Sequence, residues 1–364
     1  MAVRTHEPEV AAEVAARTAG LRTGWTTGTC ASAAAKAAAV GLVVGVAPHQ
    51  VEVGLPGGRR VAFPVDAEAP NRCVVVKDAG DDPDCTHGAR LTAEAAWLGT
   101  GETQLLAGPG VGTVTRPGLG LPVGAPAINP VPRRMILVAL AEVTERPLTV
   151  TFSVPGGEAM AERTSNARLG IVGGISILGT SGVVRPFSTA AYRASVIQQI
   201  DVAAAQGERT LVLSTGSRSD AAAHRLRPGL ADVCYVEVGD FTGIALRHAA
   251  RRGFERAPFV GMAGKIAKLA AGVMMTHFHR SKVEGALLAE VARATGAPTP
   301  VVEAATATAT ARHFFEVCIG NGCLAPLDRL CQMARAACET HVDGALEVPV
   351  TMVDFDGGQV VARA

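Results

Sequence analysis

Apolar residues between about 20 and 165 come in short runs that glycine and proline interrupt every ten or so residues. Runs of this kind, rich in valine and bounded by turn residues, predict β-strands that are largely antiparallel. Three other stretches of this region are predicted to be helices. The pattern predicts an α+β domain over residues 21–165, with helices at 29–41, 90–98 and 132–143.

The pattern changes after residue 166, where strand-like runs alternate with helix-like stretches. The alternation begins with LGIVGGISIL at 169–178 and continues through TLVLST, CYVEVG and PFVGM. It predicts an α/β domain with a mostly parallel sheet over residues 166–364. This domain ends in helices within 307–341 and a hairpin with a GG turn, which the sequence assigns to neither sheet. Residues 1–20 are expected to be frayed or disordered.

Composition narrows the class of protein. The 364 residues are 48% hydrophobic and 18% charged, which suits two domains with cores of their own. A net charge of +1 and 4% aromatic residues argue against a nucleic-acid partner. No apolar run reaches the ~18 residues of a membrane span, and the N-terminus lacks the pattern of a signal peptide. Eight scattered cysteines without CxxC spacing predict reduced thiols, a cytoplasmic location and no metal site. Oligomeric state stays open, a homo-oligomer included.

In the stretch LRTGWTTGTCASAAAK at 21–36, glycine and hydroxyl residues directly precede an alanine-rich run that is predicted to be a helix. A helix N-terminus of this kind leaves backbone N–H groups that can meet an anion. The hydroxyls of Thr26, Thr27 and Thr29 add further donors. The alternative is a capped helix that packs closely through its small residues.

An acidic turn follows an apolar strand at residues 77–88, KDAGDDPDCTHG. Asp78, Asp81, Asp82 and Asp84 are crowded within seven residues, and His87 follows. Like charges so close are expected to raise the pKa of one carboxyl group, which would then manage a proton near neutral pH. The alternative is a solvated acidic turn without chemistry.

Small and hydroxyl residues also follow the predicted strands of the second domain, at the edge where open α/β sheets bind ligands. Gly173 and Gly174 lie in the first strand-like run, and Ser214 and Gly216 follow the next. Asp240 directly follows the strand-like run CYVEVG. At this position dinucleotide and S-adenosylmethionine sites carry a carboxylate that accepts ribose hydroxyls. The alternative is that Asp240 caps the following helix.

Six segments resemble, in the same order, those of the cobalt-precorrin-5B C(1)-methyltransferase (CbiD) family of anaerobic cobalamin biosynthesis. The resemblance covers roughly residues 20 to 300, and its longest elements are specific. The segments are LRTGWTTGTCASAAAKAA, VVKDAGDDPDCTHGA, GVGTVTRPGLGLPVGAPAINPVPRRMI, VPGGEAMAERTSNARLGIVGGISILGTSGVVRPFS, TGSRSD and FVGMAGKIAKLAAGVMMTH.

The resemblance implies methyl transfer from S-adenosylmethionine to C-1 of cobalt-precorrin-5B, giving cobalt-precorrin-6A. It implies an N-terminal domain similar to ribosomal protein S5 domain 2 and a Rossmann-like C-terminal domain. Cobalt is then part of the substrate and not a metal of the protein. The sulfonium methyl group is already electrophilic, so the enzyme mainly has to align the two reactants.

Three groups of residues are predicted to form the site. The catalytic residues are Asp81, Asp82, His87 and Thr27. The cofactor-binding residues are Gly173, Gly174, Ser214, Gly216 and Asp240. Residues that would bind the substrate, chiefly through its carboxylates, are Arg22, Thr26, Arg116, Arg133 and Arg168.

Two other functions are alternatives. A small-molecule kinase also uses an S5-like domain with a glycine–hydroxyl loop, although the chain has no GxxxxGK[ST] element. A corrinoid-binding carrier would need an axial ligand, for which His277 and His279 are the candidates. Binding of S-adenosylhomocysteine but not ATP would separate the three.

Overall fold

The computed structural model describes residues 20–276, 285–307 and 310–364. The chain divides into two compact units, one ending at Ala191 and the other running from Tyr192 to Ala364. The first unit thus extends beyond the expected domain boundary at 165/166. The physical reason is strand pairing, because the short strands within 171–184 all pair with strands nearer the N-terminus.

The main sheet of the first unit has five strands, antiparallel except for one parallel pair at its edge. In chain order the unit contains β1 (Gly24–Trp25), α1 (Thr27–Val44), β2 (Gln50–Gly54), β3 (Arg60–Pro64), β4 (Asp66–Ala69), β5 (Arg72–Val76), β6 (Arg90–Trp97), β7 (Gln104–Ala107), β8 (Gly110–Val111), β9 (Thr113–Val114), α2 (Pro130–Ala141), β10 (Leu148–Ser153), α3 (Gly157–Ala161), β11 (Ile171–Val172), β12 (Gly174–Ile175) and β13 (Val183–Val184). The main sheet has the order β4-β5-β6-β10-β7.

Helix α1 is the centre of this unit and packs against α2, β5 and β6. Its alanines are buried, and their small side chains allow close backbone approach. At Gly41 a Cβ atom would lie only 1.6 Å from the carbonyl oxygen of Pro70. Contrary to the sequence expectation, this helix is by length and composition apolar enough to cross a membrane, but 72% of it is buried within the structure. It is therefore built as a core helix.

The helices expected at 29–41 and 132–143 are confirmed as α1 and α2. The prediction of a helix at 90–98 is wrong, because this segment forms strand β6. Its alanines and glutamate favour a helix locally. However, β6 lies between β5 and β10, and pairing on both sides together with burial of its apolar positions outweighs that preference.

The second unit has a five-stranded sheet, parallel except for its last strand. In chain order it contains α4 (Thr189–Ala205, which begins just before the division), β14 (Val212–Ser214), α5 (Ser217–Leu226), a 3₁₀ turn (Asp232–Cys234), β15 (Tyr235–Glu237), α6 (Thr242–Arg251), β16 (Phe259–Gly261), α7 (Ala263–Ala270), α8 (Gly285–Ala294), α9 (Thr299–Ala307), α10 (Ala311–Gly320), α11 (Ala325–His341), β17 (Val350–Val353) and β18 (Val360–Arg363).

The strand order in this sheet is β15-β14-β16-β17-β18. The chain leaves β14 towards one edge and β16 towards the other, so the order reverses between these two strands. The C-terminal hairpin, which the sequence assigned to neither sheet, adds β17 and β18 to this one. Ligands of open α/β sheets bind at such a reversal, beyond the carboxyl ends of the strands.

Candidate functional site

The loop that opens α1 is closed by hydrogen bonds. Thr26 caps the helix, its Oγ1 accepting from the N–H of Thr29 at 3.2 Å. The N–H of Gly28 donates to the carbonyl of Leu178 at 3.0 Å. Thr27 is buried, and its hydroxyl donates to the carbonyl of Ser176 and accepts the N–H of Leu178.

The segment 176–182 covers this loop from a distant part of the sequence. The Oγ1 of Thr29 donates to the carbonyl of Gly182 at 2.7 Å. At Gly179, where φ is +136°, a Cβ atom would lie 2.5 Å from the side chain of Thr26. The N–H groups of Gly28 and Thr29 are therefore engaged within the protein, as the alternative of a capped and closely packed helix requires. A substrate contact for Thr26 and a catalytic role for Thr27 stay predictions.

The acidic turn is held against residues 22–25. The side chain of Arg22 forms an ion pair with Asp78, and the backbone N–H of Arg22 donates to Oδ2 of Asp81 at 2.6 Å. Gly80 allows the approach, because a Cβ atom there would lie 2.2 Å from the carbonyl oxygen of Arg22. Arg22, predicted to bind substrate, is thus paired with a carboxylate of its own unit.

The pKa values of two carboxyl groups in the turn are lowered. The Arg22 guanidinium, followed by the N–H of Gly80, lowers the pKa of Asp78. Burial alone would raise the pKa of Asp84, but donation from Lys77 and Thr86 outweighs it, so this pKa is also lowered. Neither group therefore has the raised pKa that crowding was expected to give one carboxyl group of the turn, since donors stabilise their charged forms.

Lys77, to which no role was assigned from the sequence, holds this turn together through an ion pair with Asp84. Its side chain is 1% exposed, and its Nζ lies 2.6 Å from Oδ2 of Asp84. Asp84 also accepts the N–H and hydroxyl of Thr86 at 2.7 and 2.6 Å. A lysine at the end of an apolar strand, directly before four carboxylates, was the available signal.

Two other predicted catalytic residues bond to nearby backbone. The N–H of Ala79 donates to Nδ1 of His87 at 3.1 Å, so Nε2 carries the hydrogen in the neutral ring. His87 is more than half exposed and can offer that N–H to a ligand. Oδ1 of Asp82 accepts the N–H of Phe187 at 2.8 Å. Both side chains lie at the surface of the first unit.

The remaining predicted substrate arginines are spread over the first unit. Arg116 is half-buried, and its alkyl chain lies against Gly170, where a Cβ atom would come within 2.5 Å. Arg133 is exposed on α2, where it and Arg134 line a shallow groove of about 450 Å³. Arg168 is half-buried in the turn before β11.

The expected position of Gly173 and Gly174 at the carboxyl edge of the parallel sheet is wrong. Gly174 lies in β12, which pairs with β8 in the first unit. A Cβ atom at Gly174 would lie 2.1 Å from the backbone of Gly110, so glycine serves close backbone approach here. The run LGIVGGISIL forms two short strands because each of its halves pairs with a different short strand.

Ser214 and Gly216 do lie at that carboxyl edge. Ser214 ends β14, is fully buried, and donates from Oγ to Oδ1 of Asp220 at 3.0 Å. Gly216 precedes α5 without a side-chain cap, and a Cβ atom there would meet nothing within 4 Å. The loop after β14 is therefore open at the reversal of strand order.

Asp240 follows the adjacent strand β15 and is paired with Lys265. The same Nζ donates to the carbonyl and the hydroxyl of Thr276, both at 3.1 Å. Lys268 also donates to that carbonyl, and burial followed by the charge of Lys265 lowers its pKa. Helix α6 has Phe241 at its N-cap and no side-chain cap, so Asp240 does not cap it. Lys265 was not among the predicted site residues, although its position three residues after the strand-like run PFVGM was an available signal.

His277 and His279, the candidate axial ligands, lie outside the described residues. Within the described ranges, no group of three or more His, Cys, Asp or Glu side chains is arranged to hold a metal ion.

Comparison with known proteins identifies relatives along most of the chain. The model of the CbiD family matches residues 14–186, and that of the CbiD C-terminal domain matches residues 275–364. The cobalt-precorrin-5B C(1)-methyltransferase of Salinispora arenicola is 56% identical over 88% of this chain and 86% of its own length. The enzyme of that name from Thermus thermophilus is 46% identical over 87% of each chain.

A crystal structure of the cobalamin biosynthesis protein (cbiD) from Archaeoglobus fulgidus is 29% identical, covering 76% of this chain and 85% of that one, with a TM-score of 0.40. The family models together match well over half of the sequence. This chain belongs to the CbiD family.

Proposed function

We propose that this chain is a methyltransferase that methylates C-1 of cobalt-precorrin-5B with S-adenosylmethionine as methyl donor, giving cobalt-precorrin-6A. The observation that carries the proposal is the 56% identity to proteins named for that reaction, over 88% of the chain. The eight cysteines are all unpaired, which supports a reducing compartment such as the cytoplasm.

The proposed cofactor site is the carboxyl edge of the parallel sheet in the second unit, beside Ser214, Gly216 and Asp240. The reversal of strand order between β14 and β16 supports it, as does the open space above Gly216. Asp240 is about a quarter exposed, and its carboxylate can accept ribose hydroxyls while Lys265 balances its charge. A Rossmann-like description of this unit, and an S5-like one of the first, belong to the same proposal.

The bound cofactor would supply an electrophilic methyl group, whose bond to sulfur breaks as a bond to C-1 forms. The protein's contribution is to bind both reactants, hold them in line and exclude water. The macrocycle brings carboxylates to its rim, and Arg116, Arg133 and Arg168 are proposed to meet them. Cobalt enters and leaves as part of the substrate.

The reaction itself is the first test. Anaerobic incubation of the protein with cobalt-precorrin-5B and S-adenosylmethionine should give a product heavier by one methyl group. An unchanged substrate mass, with intact substrate and folded protein, would contradict the proposed function. Calorimetry with S-adenosylhomocysteine and ATP separates the methyltransferase from a kinase, because only the first ligand should bind.

Asp240→Ala tests the cofactor site. Loss of a charged acceptor for ribose hydroxyls should weaken S-adenosylhomocysteine binding by about 1–3 kcal/mol. Asp232→Ala is the matched control, since Asp232 is exposed and lies at the opposite end of β15. Equal affinities in the two variants would remove Asp240 from the cofactor site.

A further inference from the structure

Phe187 has a backbone conformation that phenylalanine rarely adopts. Its φ is +56°, and among the described residues only Asp343 is another non-glycine residue with positive φ. Aspartate tolerates this left-handed region, whereas a bulky residue there is a genuine outlier. The ring is also 62% exposed, so burial of the side chain does not explain the conformation.

The neighbouring structure fixes Phe187 from both sides. Before it, β13 pairs with β1 at the start of the glycine–hydroxyl loop. After it, Ser188 accepts the N–H of Ala191 at the start of α4. The N–H of Phe187 itself is held by Oδ1 of Asp82, 105 residues away in sequence. Strain that several distant contacts maintain is characteristic of functional sites.

The carboxylates of the acidic turn that holds Phe187 are less of an obstacle to an anionic ligand than the sequence suggested. Asp78, in the same acidic turn, is already paired with Arg22, and Asp82 uses one oxygen on the N–H of Phe187. Arg185 is exposed two residues before Phe187. An exposed aromatic side chain with an exposed arginine two residues before it in the chain fits a flat conjugated molecule with carboxylates on its rim.

We infer that Phe187 is the aromatic surface on which the tetrapyrrole ring of the substrate stacks, and that Asp82 is the positioning residue that holds it. The inference rests on the proposed function for the identity of the ligand. Asp82 then orients Phe187 through the hydrogen bond to its N–H and takes no part in proton transfer. The unfavourable backbone conformation at Phe187 leaves its ring exposed at the surface, where the substrate can stack on it.

Phe187→Gly tests the ring without risk to the fold. Glycine adopts positive φ freely, so the melting temperature should stay the same or rise. The KM for cobalt-precorrin-5B should rise at least tenfold, while the affinity for S-adenosylhomocysteine stays unchanged. Asp343→Gly relieves the same conformation in the second unit and should leave KM unchanged. Wild-type KM in Phe187→Gly would overturn the inference.

Two substitutions at Asp82 separate positioning from chemistry. Asp82→Asn keeps an oxygen that accepts the N–H of Phe187, so its KM and pH profile should match the wild type. Asp82→Ala removes that acceptor, and its KM should rise towards the value of Phe187→Gly. If Asp82→Asn instead loses turnover as fully as Asp82→Ala, the carboxylate acts chemically and the positioning role is overturned.

A spectroscopic test needs no turnover. In Phe187→Trp, cobalt-precorrin-5B without methyl donor should quench the added tryptophan fluorescence through direct stacking. Val44→Trp is the control, because Val44 is 68% exposed at the far end of α1 and should show little added quenching. Equal quenching in the two variants overturns the inference. Failure of the wild type to methylate its substrate would instead overturn the proposed function.

Discussion

Two loops of nearly the same composition open helices in the two units. Thr26-Thr27-Gly28-Thr29 follows β1 and opens α1, whereas Ser214-Thr215-Gly216-Ser217 begins with the last residue of β14 and opens α5. The first loop is buried and its side chains bond to the segment 176–182. The second becomes more exposed towards α5, and its glycine faces open space. Glycine and hydroxyl residues therefore serve packing in one unit and leave room for a ligand in the other.

The ion pairs beside the loops differ in the same sense. Lys77 and Asp84 hold the acidic turn from within the first unit, with a lysine that is almost fully buried. Lys265 and Asp240 are each about a quarter exposed at the edge of the second sheet. A buried lysine fixes structure, while a pair in which each side chain is about a quarter exposed stays accessible to a ligand. Four comparisons between the two units test this contrast.

The largest effect is expected from removing the two lysines. Lys77→Met leaves the Asp84 carboxylate without its cation and should lower the free energy of unfolding by about 3 kcal/mol. Lys265→Met breaks a more exposed pair and should lower it by about 1 kcal/mol or less. Urea denaturation of both variants gives the two values. Equal losses would show that the second ion pair is also structural.

A smaller effect is expected from adding one methyl group to each loop. In Gly28→Ala the Cβ atom would meet Pro132 at 2.7 Å and the carbonyl oxygen of Leu178 at 3.1 Å. Overpacking of this kind should lower the free energy of unfolding by about 1–3 kcal/mol. Gly216→Ala meets nothing and should change it by less than about 1 kcal/mol, the range of helix-capping effects.

For the same two variants, the expected effects on ligand binding are the reverse of those on stability. Gly216→Ala places a methyl group in the proposed cofactor site and should weaken S-adenosylhomocysteine binding, whereas Gly28→Ala should not. Calorimetry on the folded variants measures both. A stable Gly216→Ala protein with wild-type affinity would contradict the view that the second loop is kept open for a ligand.

The smallest effect concerns pH. Glu68, Asp78, Asp84 and Glu142 have carboxyl groups with a lowered pKa, and all four lie in the first unit. Hydrogen bonds from Arg60 and then Lys36 lower the pKa of Glu142 to about 2. Carboxylates with lowered pKa contribute stability that is present above their ordinary pKa and is lost as pH falls through the folded value.

The first unit should therefore lose protection before the second as pH falls from about 4.5 to about 2. Hydrogen exchange followed by mass spectrometry at several pH values in this window resolves the two units. Glu142→Gln should reduce the pH dependence of the first unit. Loss of protection in the second unit before the first would contradict the assignment.

Local signals predicted many elements correctly. The alanine-rich run specified α1, the strand–helix alternation specified a parallel sheet around β14, β15 and β16, and the GG turn specified the C-terminal hairpin. The failures occurred where pairing partners are distant in sequence. Strand β6 has the composition of a helix, and Gly173 and Gly174 have the composition of a strand-end loop in the second sheet.

The candidate site shows the same limit. The sequence singled out the acidic turn, but the lowered pKa of Asp84 depends on the buried ammonium group of Lys77, which folding brings to it. It singled out Asp240 but not its partner Lys265, 25 residues away. It gave no sign of Phe187, whose φ angle and contact with Asp82 exist only in the folded chain.

By itself, the sequence determined the family and the change from an α+β pattern to a strand–helix alternation along the chain. These follow from order and local propensity, which need no knowledge of distant contacts. Only the tertiary structure decided which glycine–hydroxyl loop is closed and which carboxylates are neutralised. Both depend on burial and on hydrogen bonds between segments as far apart as Thr27 and Ser176, because a hydroxyl or a charge is available to a ligand only where the fold leaves it unbonded.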